Sequence, residues 1–525
     1  MSDNSTQEIR IKEPNIFVRF GHAFVRFFTK SIPNFFTKKL PHAFKTLGIK
    51  IKDGVVNFVK RFTEGSVGTK LSHFIFGSGN LYRGQIIKGL LYLAIQVGLI
   101  LFFVLCPEVT GPNNVKVPLG YKALLNLALK GHEAQLDPLD PTHLIPASSS
   151  QLMLLFGLVT IGVMIFYIVI WNSSVRSSMQ ADKDIKEGRK PTSFKEDLKA
   201  LLDGRFHLLM ISPTFIAAAI FTILPTLFMI CIAFTSYNTL DMSTEGTDLF
   251  HWTGFDNFGA IFSGEGTLGR EIHDRFFPVL GWTVLWAIFA TFTCYFGGII
   301  LALLINKKGL KGKKIFRTIF VLTIAIPQFI SLLAVRYILS AEGPINSLLK
   351  QWGWISESIS FLGLAQTGNN VHLARTMIII INMWLGIPYT MLMTSGILLN
   401  IPSDLYEAAR VDGTGKLKMF FKITMPYIFF ITTPYLISSF IGNINSFNTI
   451  FLLSGGGPTV SDAFGSAYRA GETDLLVTWL YKLTIDNGDY NTGAVIGILT
   501  FLFTSTITLI TYRHSKAYKE EDTFQ

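Results

Sequence analysis

Four sets of residues in this 525-residue chain are of types that could do chemistry, and for each the spacing or setting argues against it. Thr414-Gly415-Lys416 has the end of a phosphate-binding loop, but such a loop needs a glycine five residues before Gly415, and that position is Arg410. No strand-like run precedes it, so ATP is not expected to bind here. Asp182 and Asp184 could serve as the carboxylate pair of a membrane glycosyltransferase. The polar segment that holds them, 172–207, is too short for a nucleotide-sugar domain, and solvated charge on a helix is the expectation. The ten histidines are scattered, with no pair at metal-ligand spacing. Cys106, Cys231 and Cys294 lie in or beside apolar runs, where a lone thiol behaves as a small apolar group, and no disulfide framework is present. What remains is a chain that binds or couples.

The strongest pattern for coupling is Glu407 to Pro426, EAARVDGTGKLKMFFKITMP, a polar interruption between two long apolar segments. Glu407-Ala408-Ala409 is followed by Asp412-Gly413 and then by Phe420, Ile423 and Pro426 at three-residue steps. This order reads as a short helix, a glycine break and a second amphipathic turn. Ala408 and Ala409 make a narrow helix face that can enter a groove, Glu407 offers charge to a basic partner, and Gly413 permits the turn.

The elements that must position this loop are membrane helices. With 49% hydrophobic residues, 15% charged residues and a mean hydropathy of +0.42, the chain is too apolar for a soluble domain, where about 25% charged is usual. Eight windows are long enough to cross a hydrocarbon core, which takes about 20 helical residues. They lie near 87–106, 152–171, 208–235, 280–305, 316–339, 374–400, 426–453 and 492–512. Prolines fall inside them at Pro213, Pro225, Pro327, Pro388 and Pro434, and each frees a carbonyl that must be satisfied within the protein. An amide or hydroxyl deep in a span, as at Asn443, Asn445 and Ser446, must likewise face inward.

The net charge of +11 is one-sided in placement rather than a nucleic-acid footprint. Segments 1–86, 172–207, 306–317, 401–425 and 513–525 hold 14, 8, 6, 4 and 3 Lys+Arg, whereas the intervening loops hold 3, 2, 1 and 2. The positive-inside rule then puts both termini and the 401–425 loop in the cytoplasm, and an even span count requires the termini to share a side. The first apolar run lacks a signal-peptide layout and is expected to be an uncleaved anchor.

Residues 1–86 interleave aromatic and basic residues. Phe17, Phe20, Phe24, Phe27 and Phe28 follow helical spacing with Arg19, Arg26 and Lys30 between them, and Pro33 and Pro41 break the run. A second stripe runs through Ile51, Val55, Phe58, Val59 and Phe62. Such helices suit an anionic membrane surface, and a tether without a specific partner is the plainer alternative. The organisation expected is a basic N-terminal region (1–86), two accessory spans (87–207), a core of six spans (208–512) and a tail (513–525). The 251–258 stretch, HWTGFDNF, reads as a folded turn.

The Glu407–Pro426 pattern resembles the EAA loop of membrane subunits of binding-protein-dependent ABC importers, the segment that docks into the ATPase. From about Pro278 to Tyr512 the resemblance narrows to the MalF-like permeases of maltose/maltodextrin importers. It is carried by ARTMIIIINMWLGIPY (374–389), IPSDLYEAARVDG (401–413), FFKITMP (420–426), SGGGP (454–458) and TDLLVTWLYK (473–482). Thr414 stands where the family has alanine and Met425 where it has leucine. The 236–279 loop is short where the best-known relatives insert a folded domain.

The resemblance implies an all-α polytopic permease of the type I ABC importer class, with eight transmembrane helices and alternating access. It implies a MalG-like second permease, two ABC ATPase subunits and an extracytoplasmic sugar-binding protein as partners, besides membrane lipid, with no nucleic acid. No cofactor is implied for this chain, since ATP is used by the partner subunits. The sugar site it implies is intramembrane, with Trp384, Leu385, Gly386, Tyr389, Ser439 and Asn443 matching lining positions. Gln328 stands in place of a serine there, and Ser446 in place of an asparagine. A flat aromatic suits a pyranose face, glycine allows close approach, and amides or hydroxyls suit sugar hydroxyls. On a helix Ser439, Asn443 and Ser446 advance by four and then three residues and are expected to share one face. Rival readings are an importer for another oligosaccharide or a polyol, or an ion-coupled carrier. The carrier would need Asp, Glu or His in the span centres, where they are nearly absent.

Overall fold

A computed structural model of the chain describes residues 40–105, 108–110, 116–129, 135–136, 144–145, 150–238, 250–264, 266–307, 309–363, 370–458 and 470–514. The Phe17 to Phe28 stripe with Arg19, Arg26 and Lys30, and also Pro33 and Cys106, lie outside the described residues. Nearly all that is described is helix. Short strands occur at Glu108–Thr110, Lys116–Pro118, Gln135–Leu136 and Leu144–Ile145, the last two pairing antiparallel.

Among the described residues seven helices are long and apolar enough to cross a membrane: Ile86–Leu105, Gln151–Lys186, Phe206–Ile232, Gly269–Asn306, Val371–Leu399, Lys416–Ile444 and Tyr490–Leu509. The expected span at 316–339 is a broken pair of helices, Lys313–Ala325 and Gln328–Ile338, bent by 94°, which together are apolar enough to make an eighth span if counted as one. Pro327 causes the break. It has no N–H to donate, and it forces Ile326 out of the helical region to φ −80°, ψ 128°. Pro213, Pro388 and Pro434 stay inside their helices, while Pro225 follows a π-helical turn at Ala219–Ile223.

The expected 426–453 span also differs. Its helix ends at Ile444, and a new helix runs Phe447–Leu453, so Ser446 is not on the face shared by Ser439 and Asn443. At its other end the helix reaches down through a π-turn, Phe420–Thr424, to Lys416. The second half of the polar loop is therefore the start of the membrane helix itself.

The chain divides into two compact units. One comprises Met1–Val109, Pro118–Leu124 and Phe156–Ile220. Its centre is polar: Arg83, with a side chain 3% exposed, meets Asp182 at 3.0 Å. It also donates to Gly79 O, Ser178 Oγ and Thr69 Oγ1 at 2.8 to 2.9 Å. Asp182 further accepts from the Ser66 amide, and Asp184 is buried and accepts from Gln180. The expectation that these aspartates are solvated is overturned, because a buried guanidinium requires a counter-charge and full hydrogen bonding. That need was invisible 99 residues away along the chain.

The other unit comprises Thr110–Val117, Leu125–Leu155 and Phe221–Gln525. Its axis is the 41-residue helix Gly266–Asn306, which packs against Val371–Leu399 and Met425–Ile444. Small residues let the first pair approach: a Cβ added at Gly297 would lie 2.7 Å from Ile387, at Gly298 2.5 Å from Thr390, and at Gly386 2.6 Å from Cys294 Sγ. Close backbone approach with interhelical hydrogen bonds is how membrane helices associate when water does not drive them together. Tyr295 and Thr432 hydroxyls meet at 2.7 Å, and Asn306 Nδ2 donates to Ser395 Oγ at 2.9 Å. The 251–258 stretch is folded, as read, with Asn257 donating to the Ala233 and Thr235 carbonyls.

Candidate functional site

Glu407 and Ala408 lie exposed, and Ala409 half-buried, on the helix Ser403–Val411. Asp412 caps that helix and Gly413 follows at φ +70°. The Gly413 amide donates to Arg410 O and the Thr414 amide to Ala409 O, the two bonds of a glycine-terminated helix end. The loop then re-enters helix at Lys416–Met419. Phe420 and Ile423 are half-buried, Phe420 against the cluster around Tyr295 and Ile428, and Pro426 is exposed in the first turn of the span. The residues singled out by spacing thus split into an outward set and an anchoring set.

Two features of the loop escaped sequence reading. Leu405, Val411, Leu417 and Phe421 are 46%, 89%, 77% and 65% exposed, an apolar rim on an otherwise charged loop. Their apolar character inside a polar stretch was the available signal. In addition, Tyr406 and Thr424 share a 2.8 Å hydroxyl–hydroxyl hydrogen bond that ties the short helix to the base of the membrane helix.

Within the membrane the expected sugar-site residues fall into separate groups. Tyr389, 53% exposed, lies against Tyr435 with ring centroids 5.7 Å apart, and Thr390 Oγ1 lies 3.3 Å from the Tyr435 hydroxyl. Ser439 and Asn443 follow Tyr435 at four-residue steps on the same helix face, both half-buried. Trp384 is half-exposed. Gln328, Ser446 and Thr449 form a second group, with Ser446 Oγ donating to Thr449 Oγ1 at 3.0 Å and Gln328 Nε2 at 3.5 Å from it. The tight turn after Ile444 carries Ser446 there. Tyr435 and Thr449 were not foreseen, because their roles depend on which helices meet.

Two of the expected residues also make packing contacts. Leu385 packs inward against the cluster around Trp286 and Ile381, and Gly386 is the point where its helix touches Cys294. The Asn443 side chain is already satisfied in part, its Nδ2 donating to Thr291 Oγ1 at 2.9 Å, and the main-chain carbonyl of Asn443 accepts from Trp286 Nε1 at 3.0 Å. The interhelical partner, rather than an open cavity alone, removes the cost of an amide in a span.

The SGGGP and TDLLV segments prove to be one structure. Asp474, fully buried, accepts from the Gly471 amide at 2.7 Å and Thr478 Oγ1 at 2.9 Å and pairs with Lys482 Nζ at 2.7 Å. Burial pushes its carboxyl upward, and Lys482 with these donors opposes that. Gly456 lies directly against the Asp474 carboxylate, leaving no room for a Cβ. Glu472 is clamped by Arg275 at 3.0 Å and Arg375 at 3.2 Å, and Arg375 stacks over Trp282 at 4.5 Å. The loop is thereby bound to the ends of two spans. Among the described residues no group of His, Cys, Asp or Glu could hold a metal ion.

Comparison with known proteins identifies relatives of the chain. Residues 294–517 match the model of the family described as binding-protein-dependent transport system inner membrane component. The chain is 30% identical over 454 residues to the galactooligosaccharides transport system permease protein GanP of Bacillus subtilis, covering 86% of this chain and 98% of that one. It is 30% identical over 457 residues to the maltodextrin transport system permease protein MalC of Streptococcus pneumoniae serotype 4, covering 86% and 96%. With the maltose/maltodextrin transport system permease protein MalF of Escherichia coli K12 it shares 35% identity over 273 residues, 50% of this chain and 49% of that one. A solved bacterial ABC transporter for alginate import is similar over 61% of this chain at 21% identity, with a TM-score of 0.44. The chain belongs to the family of binding-protein-dependent transport system inner membrane components, and is thus a multi-pass inner-membrane permease of an ABC importer, one that moves a solute rather than transforming it.

Proposed function

We propose that the solute is a malto-oligosaccharide, held within the membrane by Trp384, Tyr389, Ser439 and Asn443, with Gln328 and Ser446 contributing from the adjoining group. The observation that carries this reading is the Tyr389–Tyr435 aromatic pair, half open within the spans and followed along one helix face by Ser439 and Asn443. Aromatic faces and short polar side chains in one tract are what a pyranose needs. The names of the MalC and MalF relatives support the maltodextrin class. A second reading, a galacto-oligosaccharide, is favoured by the likeness to GanP.

ATP hydrolysis belongs to two partner ATPase subunits, which grip the exposed helix Ser403–Val411 and its apolar rim. A second, MalG-like permease and an extracytoplasmic sugar-binding protein complete the assembly, with both termini of this chain in the cytoplasm. Closure of the ATPases moves the 403–426 segment, and because that segment is continuous with the Met425–Ile444 helix, the helix wall of the sugar site moves with it.

The test is uptake of labelled maltotriose by proteoliposomes holding the assembled complex, with galacto-oligosaccharide as competitor. Tyr389→Ala and Trp384→Ala should abolish uptake and leave basal ATP hydrolysis intact. Normal uptake in both variants would sink the site, and uptake of labelled galacto-oligosaccharide without any uptake of maltotriose would select the second reading.

A further inference from the structure

The unit built around Arg83 carries a pair of cations outside the proposed sugar site and coupling loop. Helix Ser150–Lys186 is apolar up to Trp171 and polar from Asn172 onward, so Trp171 marks the edge of the hydrocarbon. Its Nε1 donates to His73 O at 2.8 Å, and its ring meets Phe58 at 4.8 Å. Phe58 belongs to the helix Leu40–Glu64, and Phe62 of the same helix stacks edge-on to His73. The C-terminal part of that helix is therefore held at the depth of Trp171.

At that depth Arg61 Nη1 donates to Asn172 Oδ1 at 2.8 Å. Arg176 is one turn beyond Asn172 on the same helix face, about 6 Å along the axis. The two guanidiniums are thus neighbours, and Arg61 is lowered from its ordinary value first by burial and then by the charge of Arg176. Among the described residues no carboxylate pairs with either. The nearby acids are engaged elsewhere: Glu64 with Lys60 at 3.8 Å, Asp182 with Arg83 at 3.0 Å and Asp184 with Arg189 at 3.5 Å. Two adjacent cations without an anion repel, and a phosphate relieves that repulsion with the planar fork geometry arginine matches.

The surface around the pair is a membrane surface. Ile49, Val56 and Val59, seven and three residues apart, are all at least half exposed along the Leu40–Glu64 helix. Phe74, Ile75 and Ile86 are exposed and lead into the outward residues Leu90, Leu91 and Val97 of the Ile86–Leu105 span. Exposed Lys45, Lys52 and Lys60 lie on the same helix as the apolar stripe. This is the composition of a helix that lies in a headgroup layer.

We propose that Arg61 and Arg176 hold the phosphate of an anionic phospholipid and so seat the Leu40–Glu64 helix in the headgroup layer. The inference rests on Ile86–Leu105 and Gln151–Lys186 crossing the membrane, and it does not depend on the sugar transported.

The full-length chain, co-purified with its partners, is placed in nanodiscs of phosphatidylcholine alone or mixed with phosphatidylglycerol. Amide hydrogen exchange across 45–64 is followed, and retained lipid is identified by native mass spectrometry. Exchange should slow with phosphatidylglycerol. Enrichment of that lipid should fall about fivefold for each arginine changed in Arg61→Gln and Arg176→Gln. The pair Arg61→Lys with Arg176→Lys should keep part of it, because charge remains while the fork is lost. Equal protection in phosphatidylcholine would overturn the proposal and point to a protein partner instead. Equal protection by millimolar inorganic phosphate in detergent would overturn it in favour of a soluble anion. Resistance of every variant to alkaline carbonate extraction separates a failed lipid site from failed spans.

Discussion

Gly386 separates two roles that the same residue could play, and Gly386→Ala decides between them. A methyl there would sit 2.6 Å from Cys294 Sγ and 3.3 Å from Cys294 Cβ. Non-bonded heavy atoms prefer about 3.5–4.0 Å, so the sulfur is about 1 Å too near. It is not free to swing away, because Cys294 is 8% exposed and its sulfur lies 3.6 Å from both Asn382 O and Asn382 Nδ2. Overpacking of this kind costs about 1–3 kcal/mol. Cys294→Ala removes the sulfur and leaves only the 3.3 Å contact, which a small shift relieves. Alone it should cost about 1 kcal/mol for the lost buried atom, and combined with Gly386→Ala it should recover about 1–2 kcal/mol. The assay is thermal unfolding of the purified complex in detergent, alongside sugar uptake per folded complex. Stability should fall in Gly386→Ala and return in the double variant, with uptake following the folded fraction. A Gly386→Ala complex that melts like the parent yet fails to transport, and is not rescued by Cys294→Ala, would refute the packing argument and return Gly386 to the sugar.

Three further outcomes are expected. Gly413→Val forces a β-branched residue to φ +70° at a cost of about 1–3 kcal/mol, so ATPase stimulation by sugar should be lost while the chain still inserts; undiminished stimulation would count against the loop as the coupling element. Tyr406→Phe deletes only the bond to Thr424, worth about 0.5–1.5 kcal/mol, and should raise the ATP hydrolysed per sugar moved; an unchanged ratio would show that the tie transmits nothing. Asp474→Asn leaves Lys482 without its buried partner at a cost of about 3–5 kcal/mol, so the complex should melt earlier, an effect that Lys482→Met in the same chain should partly reverse; a melting point equal to the parent's in the single variant would refute the pairing.

Periodicity and punctuation carry local information, and they located most of the spans and the helix–glycine–helix form of the 407–426 loop. They did less well wherever an apolar run contained a helix-ending residue. Ile326-Pro327 looked like one kink among several, yet it bends the chain by 94°, whereas Pro388 and Pro434 are absorbed inside helices. A proline's local effect is the same in each case, and neighbouring helices decide whether the freed carbonyl is satisfied in place.

Hydrophobicity along one dimension was enough to determine that this chain lives in a membrane and roughly where it crosses, because those properties sum over segments. The family pattern in the 407–426 loop was legible too, since its residues act within a few turns of one another. Pairings across the chain were not. That Asp182 neutralises Arg83, that Gly456 makes room for Asp474, that Gly386 touches Cys294 and that Ser446 turns toward Thr449 were decided only by the tertiary structure. Each is a contact between residues whose separation along the chain says nothing about their distance in space, and in a membrane interior the energy of a polar or close-packed residue depends on that partner.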